Sequence, residues 1–326
     1  MSSENQPPLL APSNRRQFMT RAGLIGAAVG TGMLGMSSQE AKAAERTAFG
    51  ENGRGGGTRR FVVNDQDILN FALNLEYLEA EYYLRAAFGR GLDAGDANGV
   101  LGPGGGKGII AGGEVTGGSQ VPFATPIIRE YAQEIAIDEE NHVKFLRSAL
   151  GPLAVARPAI DIGEAFTIAA QVAGIIGEDD IFDPYADENS FLLGAFVFED
   201  VGVTAYNGAA GAIRDTDILR AAASILAVEA YHAGEVRSLL ASRGVNTPFL
   251  IDAANKISLL RDTAAGSAAD QAITNMDGSA NIVPTDANGL AFSRTFAEVL
   301  KIVYLGGDSF LGNGGFFPQG MYGRIR

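Results

Sequence analysis

Apolar residues recur at steps of three and four along four long segments of the chain, which is the period of an α-helix with one buried face. The pattern predicts helices over 67–88, 126–150 and 190–213, and a fourth helix that Thr216 caps and that ends at Gly244. The third segment is apolar on nearly all sides, which is typical of a helix at the centre of a bundle. We therefore expect a bundle of four long helices.

The second of these helices has the clearest boundaries. Thr125 precedes Pro126, and proline is favoured at the first position of a helix. A Gly-Pro pair follows the last apolar residue at the other end. The pattern predicts Thr125 as the N-cap. The predicted buried stripe consists of Ile127, Tyr131, Ile135, Phe145 and Leu146.

The segments that connect the helices differ in composition. The stretch 89–120 has glycines at many positions, including several within 102–108, which predicts a long connection without regular structure. A mixed linker covers 152–188, and a more irregular C-terminal third contains a helical stretch around 292–304 and a tail rich in Gly and Phe at 306–317. No strand alternation of useful length occurs. The predicted fold is all-α, a four-helix bundle with a Gly-rich insertion between helices 1 and 2 and a C-terminal extension.

The N-terminal region has the features of an export signal. Arg15, Arg16 and Phe18 precede an apolar run over 22–36, and residues 41–43 form a small-x-small cleavage site. The apolar run is shorter than the roughly 20 residues that cross a bilayer, so we expect no permanent membrane span. The pattern predicts a twin-arginine signal peptide at 1–43 and export to the periplasm or cell envelope. The alternative is a disordered basic tail that stays attached.

The remaining chain divides into three parts by composition. Residues 44–63 are rich in Gly and Arg and predict a flexible mature N-terminus, and 64–244 contain the bundle. Residues 245–326 form the C-terminal extension, in which Phe292, Phe296, Leu300 and Val303 recur at helical steps. This stripe predicts that the extension packs on an apolar surface, so we treat it as part of one domain.

Composition restricts the chemistry. The 326 residues include no cysteine, which excludes disulfides, thiolate zinc sites, iron–sulfur clusters and cysteine nucleophiles. A formal net charge of -13 and a sequence pI near 4.7 argue against a nucleic-acid partner and favour cations. Any metal must therefore bind through oxygen and imidazole, and the chain has 2 histidines to offer.

Each of these histidines follows a glutamate by three residues, a spacing that places the pair on one face of a helix. The first and third predicted helices each carry a glutamate among apolar residues, where a buried charge costs several kcal/mol unless a cation or partner meets it. The order Glu, Glu-x-x-His, Glu, Glu-x-x-His is the ligand set of a di-metal carboxylate bundle. The candidate metal ligands are Glu76, Glu139, His142, Glu199, Glu229 and His232.

The two halves of the bundle repeat a second spacing. Tyr83 lies seven residues after Glu76, and Tyr206 lies seven residues after Glu199, so each tyrosine is two turns along the face of its glutamate. An internal duplication would explain this repeat. It favours Glu76 over the nearby Glu79 as the ligand of the first helix, because Glu79 aligns with a glycine in the second half.

Three further residues are candidates for contacts with the ligands. Tyr83 and Tyr206 could donate hydrogen bonds to ligand carboxylates or carry an oxidising equivalent, and the alternative is that they are core aromatics. Glu235, three residues after His232, could orient the imidazole, and the alternative is a solvated charge.

Three segments of the sequence carry a family resemblance. The segment ILNFALNLEYLEAEYY at 68–83, the segment DEENHV at 138–143 and the segment GFFP at 315–318 resemble the ferritin-like superfamily, in particular its exported branch related to plant desiccation-related proteins. The resemblance implies a four-helix bundle that holds two iron or manganese ions. Glu139 and Glu229 would bridge the metals, Glu76 and Glu199 would be terminal ligands, and each histidine would bind one metal. Storage ferritins have short connections and a cage-forming surface, whereas this chain has a Gly-rich insertion and a long C-terminal extension, so we do not expect a cage. A homo-oligomer of another kind is the assembly that we retain.

Two classes of function follow from this sequence. The first is an exported di-metal oxidoreductase that reacts with O₂ or peroxide, as a ferroxidase or a peroxide-consuming enzyme, in oxidative or desiccation stress. The second is a non-catalytic desiccation, stress or cell-envelope protein that retains the bundle for stability. The complete ligand set favours the first class, because buried carboxylates without a metal are destabilising.

Overall fold

A computed structural model of the chain describes residues 63–99, 108–306 and 312–326. The predicted signal peptide, the predicted flexible segment up to residue 62 and residues 100–107 of the Gly-rich stretch lie outside the described residues. The helices are α1 (Asp65–Phe88), α2 (Ala94–Ala97), α3 (Pro126–Leu150), α4 (Glu164–Val172), α5 (Glu188–Ala210), α6 (Thr216–Gly244), α7 (Pro248–Ala265) and α8 (Phe296–Val303). The all-α prediction is confirmed.

Regular structure other than α-helix is sparse in the described residues. A 3₁₀ turn spans Gly151–Leu153 after α3. Strands β1 (Val115–Thr116) and β2 (Ile160–Asp161) pair in parallel and join two connecting segments to each other. The sequence predicted irregular structure in both segments, and the short helices α2 and α4 were missed there as well.

The four predicted long helices are α1, α3, α5 and α6, and they pack mainly as two pairs, α1 with α3 and α5 with α6. Helices α1 and α5 are buried on nearly every side, as the apolar third segment predicted for α5. A capping box between Asn64 and Asp67 begins α1, and Gly89 ends it in a left-handed conformation, with φ at 69°. None of the described helices combines the length and the apolar character that a membrane span needs.

Two predictions about α3 are wrong in detail. Thr125 occupies the N-cap position, but its hydroxyl donates to Glu188 and does not cap the helix. Ile127 and Phe145 are 44% and 48% exposed, whereas Ile128 lies in the core. The helix is rotated so that its Glu-x-x-His face points inward, and this rotation turns residues 127 and 145 outward.

The start of α6 and the structure that follows it also differ from the prediction. The N-cap is Asp215, whose side chain accepts hydrogen bonds from the next turn, and Thr216 is the first helical residue. Helix α7 falls in the region that we expected to be irregular, although Pro248 at its start and Gly266 at its end are the usual signals.

The C-terminal extension packs on the bundle through α7 and α8, which contact α5. The predicted stripe of α8 is buried at Phe296, Leu300 and Val303, whereas Phe292 is partly exposed. Three fully buried arginines join the extension to the helices: Arg237 of α6, Arg261 of α7 and Arg294 of the following loop. They pair with Asp200, Asp262 and Asp270, so the buried charges compensate one another.

Candidate metal centre

The six predicted ligands meet in the interior of the bundle, one or two from each long helix. All six are buried, and none exceeds 9% exposure: Glu76, Glu139, His142, Glu199, Glu229 and His232. The spacing of three in α3 and α6 turns each Glu and its His toward the same interior, as the helical period requires. The fold therefore brings together, from four helices, the six side chains that the sequence indicated as candidate ligands.

One part of the cluster surrounds His142. Single ligand atoms of Glu76, Glu139, His142 and Glu229 all lie within 4.8 Å of one another. The Nδ1 atom of His142 is 3.2 Å from Glu76, 3.5 Å from Glu139 and 3.7 Å from Glu229. These separations leave space for a cation that these groups would share.

A second part of the cluster surrounds His232. Its Nδ1 atom lies 3.1 Å from Glu139 Oε1 and 3.7 Å from Glu199 Oε2. The two imidazole rings are 6.3 Å apart between centroids. Glu139 lies between them, because its Oε2 atom faces His142 and its Oε1 atom faces His232. Its carboxylate is therefore in position to contact two cations at once.

Several polar atoms of this cluster make no hydrogen bond within the described part of the chain. They are both carboxylate oxygens of Glu139 and of Glu229, Oε2 of Glu199 and Nδ1 of His232. Buried polar atoms without partners are destabilising, and they are rare in native proteins. Oxygen and imidazole nitrogen are ligands for iron, manganese or zinc, so the residues present fit a bound metal.

Opposing influences set the pKa values of the histidines and of Glu139. Burial alone would lower the pKa of both imidazoles, but the surrounding carboxylates raise it, to about 11 for His142 and about 10 for His232. Burial would raise the pKa of Glu139, yet the two adjacent imidazoles together hold it below its usual range. Two protonated imidazoles thus take the place of cations around Glu139 in the metal-free protein.

The pKa values of the other three candidate ligand carboxyl groups are raised, in contrast to that of Glu139. Burial raises the pKa of Glu76 to about 7, against the charge of His142. Burial also raises the pKa of Glu199 to about 8, against the charge of His232. Burial, followed by the charges of neighbouring glutamates, raises the pKa of Glu229 well above its ordinary value. The cluster is more acidic than its own histidines can neutralise, which favours binding of further positive charge.

The two tyrosines of the repeat cross between the halves of the bundle. The hydroxyl of Tyr83 on α1 donates to Glu199 on α5, and the hydroxyl of Tyr206 on α5 donates to Glu76 on α1. Each tyrosine therefore contacts the glutamate of the other helix and not its own. Of the interpretations left open by the sequence, the structure favours hydrogen bonding to the candidate ligand carboxylates.

Glu79 lies beside the cluster as well, whereas Glu76, the residue preferred from the sequence, belongs to the group of four whose ligand atoms lie close together. Glu79 is 5% exposed, and burial followed by the charges of Glu139 and other glutamates raises its pKa well above the ordinary value. A Cβ atom at Gly202, the position that aligns with Glu79, would overlap Glu229 Oε2 and lie 3.5 Å from Glu79 Oε1. The glycine thus leaves room for the carboxyl group of Glu229, and Glu79 lies at ordinary contact distance from the same position.

The residue beside the outer nitrogen of His232 is Asp138, which sequence reasoning missed. Asp138 Oδ2 lies 3.3 Å from Nε2 of His232. Glu235, the residue expected in this role, is half-buried, and no hydrogen bond joins it to His232 within the described residues. Asp138 belongs to α3 and His232 to α6, so the spacing along either helix could not reveal the contact.

Comparison with known proteins agrees with this architecture. A bundle of long helices around buried carboxylates and imidazoles defines a class of metal-carboxylate bundle folds. Residues 64–242, more than half of the chain, match the family described as "Ferritin-like domain". The chain belongs to this ferritin-like family, as the resemblance of its sequence predicted.

Two named relatives cover most of the chain. A desiccation-related protein, PCC13-62 of Craterostigma plantagineum, is 32% identical over 251 residues, which are 71% of this chain and 75% of the relative. A ferritin-like catalase, Nec2 of Nesocodon mauritianus, is 28% identical over 276 residues, which are 80% of this chain and 84% of the relative. No solved structure matches the chain at a significant level.

Proposed function

We propose that this chain is an exported ferritin-like protein that binds two iron or manganese ions in its Glu/His cluster and uses them in redox chemistry with peroxide or O₂. The observation that carries the proposal is the set of buried ligand atoms without hydrogen bonds around Glu139. Four carboxylates and two neutral imidazoles carry a charge of about -4, which two divalent cations would neutralise.

The distances within the cluster support the proposed ligand roles. Glu139 would bridge the two metals, because its two oxygens face different histidines. Glu76 and His142 would hold one metal, and Glu199 and His232 would hold the other. Glu229 lies 3.7 Å from His142 and would complete that side, and the family resemblance implies that it would also be a second bridge.

Iron or manganese would supply reversible one-electron changes at two adjacent sites, and zinc would not. The protein would contribute burial, which limits access of water, and hydrogen bonds from Tyr83 and Tyr206 that orient the carboxylates they contact. In the peroxide-consuming reaction, two molecules of hydrogen peroxide would give one O₂ and two molecules of water. The relative named as a ferritin-like catalase favours this reaction over Fe(II) oxidation by O₂.

Export and physiological role are part of the same proposal. The paired arginines and apolar run within the first 43 residues favour the twin-arginine route, which transports folded proteins with their metals already bound. The site of action would then be the periplasm or the cell envelope. Protection during drying or oxidative stress would follow from removal of peroxide.

A second candidate function is a non-catalytic stress protein. The relative named as desiccation-related is 32% identical to this chain, and its name states a circumstance and not a reaction. In this case the bundle, with or without metal, would be retained as a stable fold, and the protein would have a structural role in the cell envelope.

The test begins with the metal content of the mature protein, purified from its native compartment, by elemental mass spectrometry. We expect about two iron or manganese ions per chain, lost in a Glu139→Ala, His232→Ala double variant and retained in Glu134→Gln, which changes an exposed residue of the same helix. Peroxide consumption and Fe(II) oxidation by the loaded protein are then measured. Bound metal without either activity would contradict the redox function and favour the non-catalytic one. Absence of metal would overturn the proposed metal centre.

A further inference from the structure

A small cavity adjoins the Glu/His cluster on the side of Glu79. Apolar side chains of α1, α5 and α8 line it, together with Phe316 from the C-terminal tail. Its volume is about 20 Å³, and roughly 10–15 Å³ is enough for one water-sized molecule. The cavity therefore has room for a molecule of about the size of water or slightly larger, and its apolar walls favour a neutral one.

Glu79 is the ionisable residue in this lining. Its side chain is 5% exposed. Neither an ion pair nor a hydrogen bond of its carboxyl group is found within the described part of the chain. A carboxyl group that borders a cavity without a hydrogen-bond partner is available to a small polar ligand.

Gly202 lies between the cavity and the cluster. It lines the cavity together with Glu79, and a Cβ atom at this position would overlap Oε2 of Glu229. The carboxylate of Glu229 therefore occupies the space that a side chain at position 202 would fill. This candidate ligand thus lies directly behind the cavity lining, next to Glu79.

We propose that this cavity is the binding site from which a small neutral oxygen species, H₂O₂ or O₂, reaches the metal centre, with Glu79 as its polar end. The proposal rests on the proposed redox function. Because the lining includes Val303 and Phe316, the C-terminal extension would have a direct role in binding the oxidant.

The first experiment requires no metal. Metal-free protein with ¹³C-labelled Leu and Val methyl groups is placed under O₂ pressure, and the paramagnetic relaxation of each methyl signal is measured by NMR. We expect faster relaxation at Leu75, Val201 and Val303 than at Leu69 and Val299, which are also buried but do not line the cavity. Equal relaxation at both sets would overturn the cavity as a site that O₂ reaches.

The second experiment fills the cavity in the metal-loaded protein. Val303→Ile adds one methylene group to the wall, and Val299→Ile makes the same change on the same helix away from the cavity. We expect Val303→Ile to lower kcat/KM about three- to tenfold, with unchanged metal content, and Val299→Ile to leave it unchanged. Measurement with H₂O₂ and, separately, of Fe(II) oxidation with O₂ shows which oxidant uses the site. Equal rates of both variants with both oxidants would contradict the proposal.

The third experiment tests Glu79 itself. Glu79→Gln keeps a polar end on the cavity, and Glu79→Leu removes it. We expect both variants to retain the metal, and Glu79→Leu to raise KM for peroxide more than Glu79→Gln does. Loss of metal in both variants would make Glu79 a metal ligand and overturn its role toward the oxidant. If the wild-type protein is loaded but inactive, the proposed function fails, whereas the NMR result still decides whether the cavity admits O₂.

Discussion

Tyr206 on α5 donates its hydroxyl hydrogen to Glu76 on α1, and the equivalent tyrosine of α1 donates to the equivalent glutamate of α5. The two halves of the bundle therefore stabilise each other's candidate ligands. The contact joins residues 130 positions apart and lies in the buried centre of the bundle. It links the order of the candidate metal centre to the packing of α1 against α5.

Removing one of these hydroxyl groups tests this link. Tyr206→Phe keeps the ring but leaves Glu76 without its donor, so we expect metal affinity to fall about 10- to 100-fold. Affinity is measured by competition with a chelator. Tyr82→Phe is the matched control, because its hydroxyl donates to the backbone oxygen of Phe191 and does not contact the cluster. A similar loss in both variants would assign the effect to general packing.

The structure predicts that Asp138 orients the imidazole of His232 and that Glu235 does not. Asp138→Asn weakens the acceptor 3.3 Å from Nε2, so we expect metal affinity to fall about 10- to 100-fold. Glu235→Gln is expected to change affinity much less, since Glu235 makes no hydrogen bond to the ring within the described residues. Metal titration of both variants at one pH measures the two affinities. A larger loss of affinity in Glu235→Gln than in Asp138→Asn would contradict the assignment of Asp138.

The metal-free protein should lose stability as pH rises. The folded-state pKa values of Glu76 and Glu199, about 7 and about 8, lie above the ordinary value of 4.5, so their protonated forms favour the folded state. This contribution is complete below pH 4.5 and is lost as pH rises through 7 and 8. His142, with its pKa raised to about 11, adds a loss that begins above pH 6.5. Glu139 contributes its own stabilisation throughout this range, because its pKa is lowered.

The measurement is the Tm of the metal-free protein between pH 5 and pH 9, which we expect to fall steadily. A Glu76→Gln, Glu199→Gln double variant provides the control, because it lacks both raised carboxyl pKa values and should show a flatter profile. In the metal-loaded protein the metal replaces the protons of the cluster, so the fall should be smaller. A Tm of the metal-free protein that rises with pH would contradict these pKa directions.

The buried ion pairs of the C-terminal extension predict a large effect on stability. Asp200 Oδ2 lies 2.8 Å from both Arg237 and Arg261, and all three residues are buried. Asp200→Asn leaves two buried guanidinium groups with less compensation, so we expect a loss of about 3–5 kcal/mol in the free energy of unfolding. Denaturant unfolding measures this loss. Asp217→Asn, at an exposed position of α6, should change stability by less than about 0.5 kcal/mol.

The sequence alone was sufficient for the features that depend on one helix at a time. The helical period placed each Glu-x-x-His pair on one face, and the apolar segments located α1, α3, α5 and α6 to within a few residues. Because only two histidines occur and each follows a glutamate, the spacing of residues along the chain was enough to name the six candidate ligands. The fold brings these six side chains together.

Tertiary structure decided the features that depend on how helices are rotated and paired. Ile127 and Ile128 are both apolar, and only the inward rotation of α3 determines that Ile128 is the core residue. The contact between Asp138 and His232 and the crossing of the tyrosines join different helices, so no spacing within one helix encodes them. Glu79 is a further example. The sequence alone assigned it no position relative to the cluster, whereas in the folded bundle it lies next to Gly202, whose missing side chain makes room for Glu229.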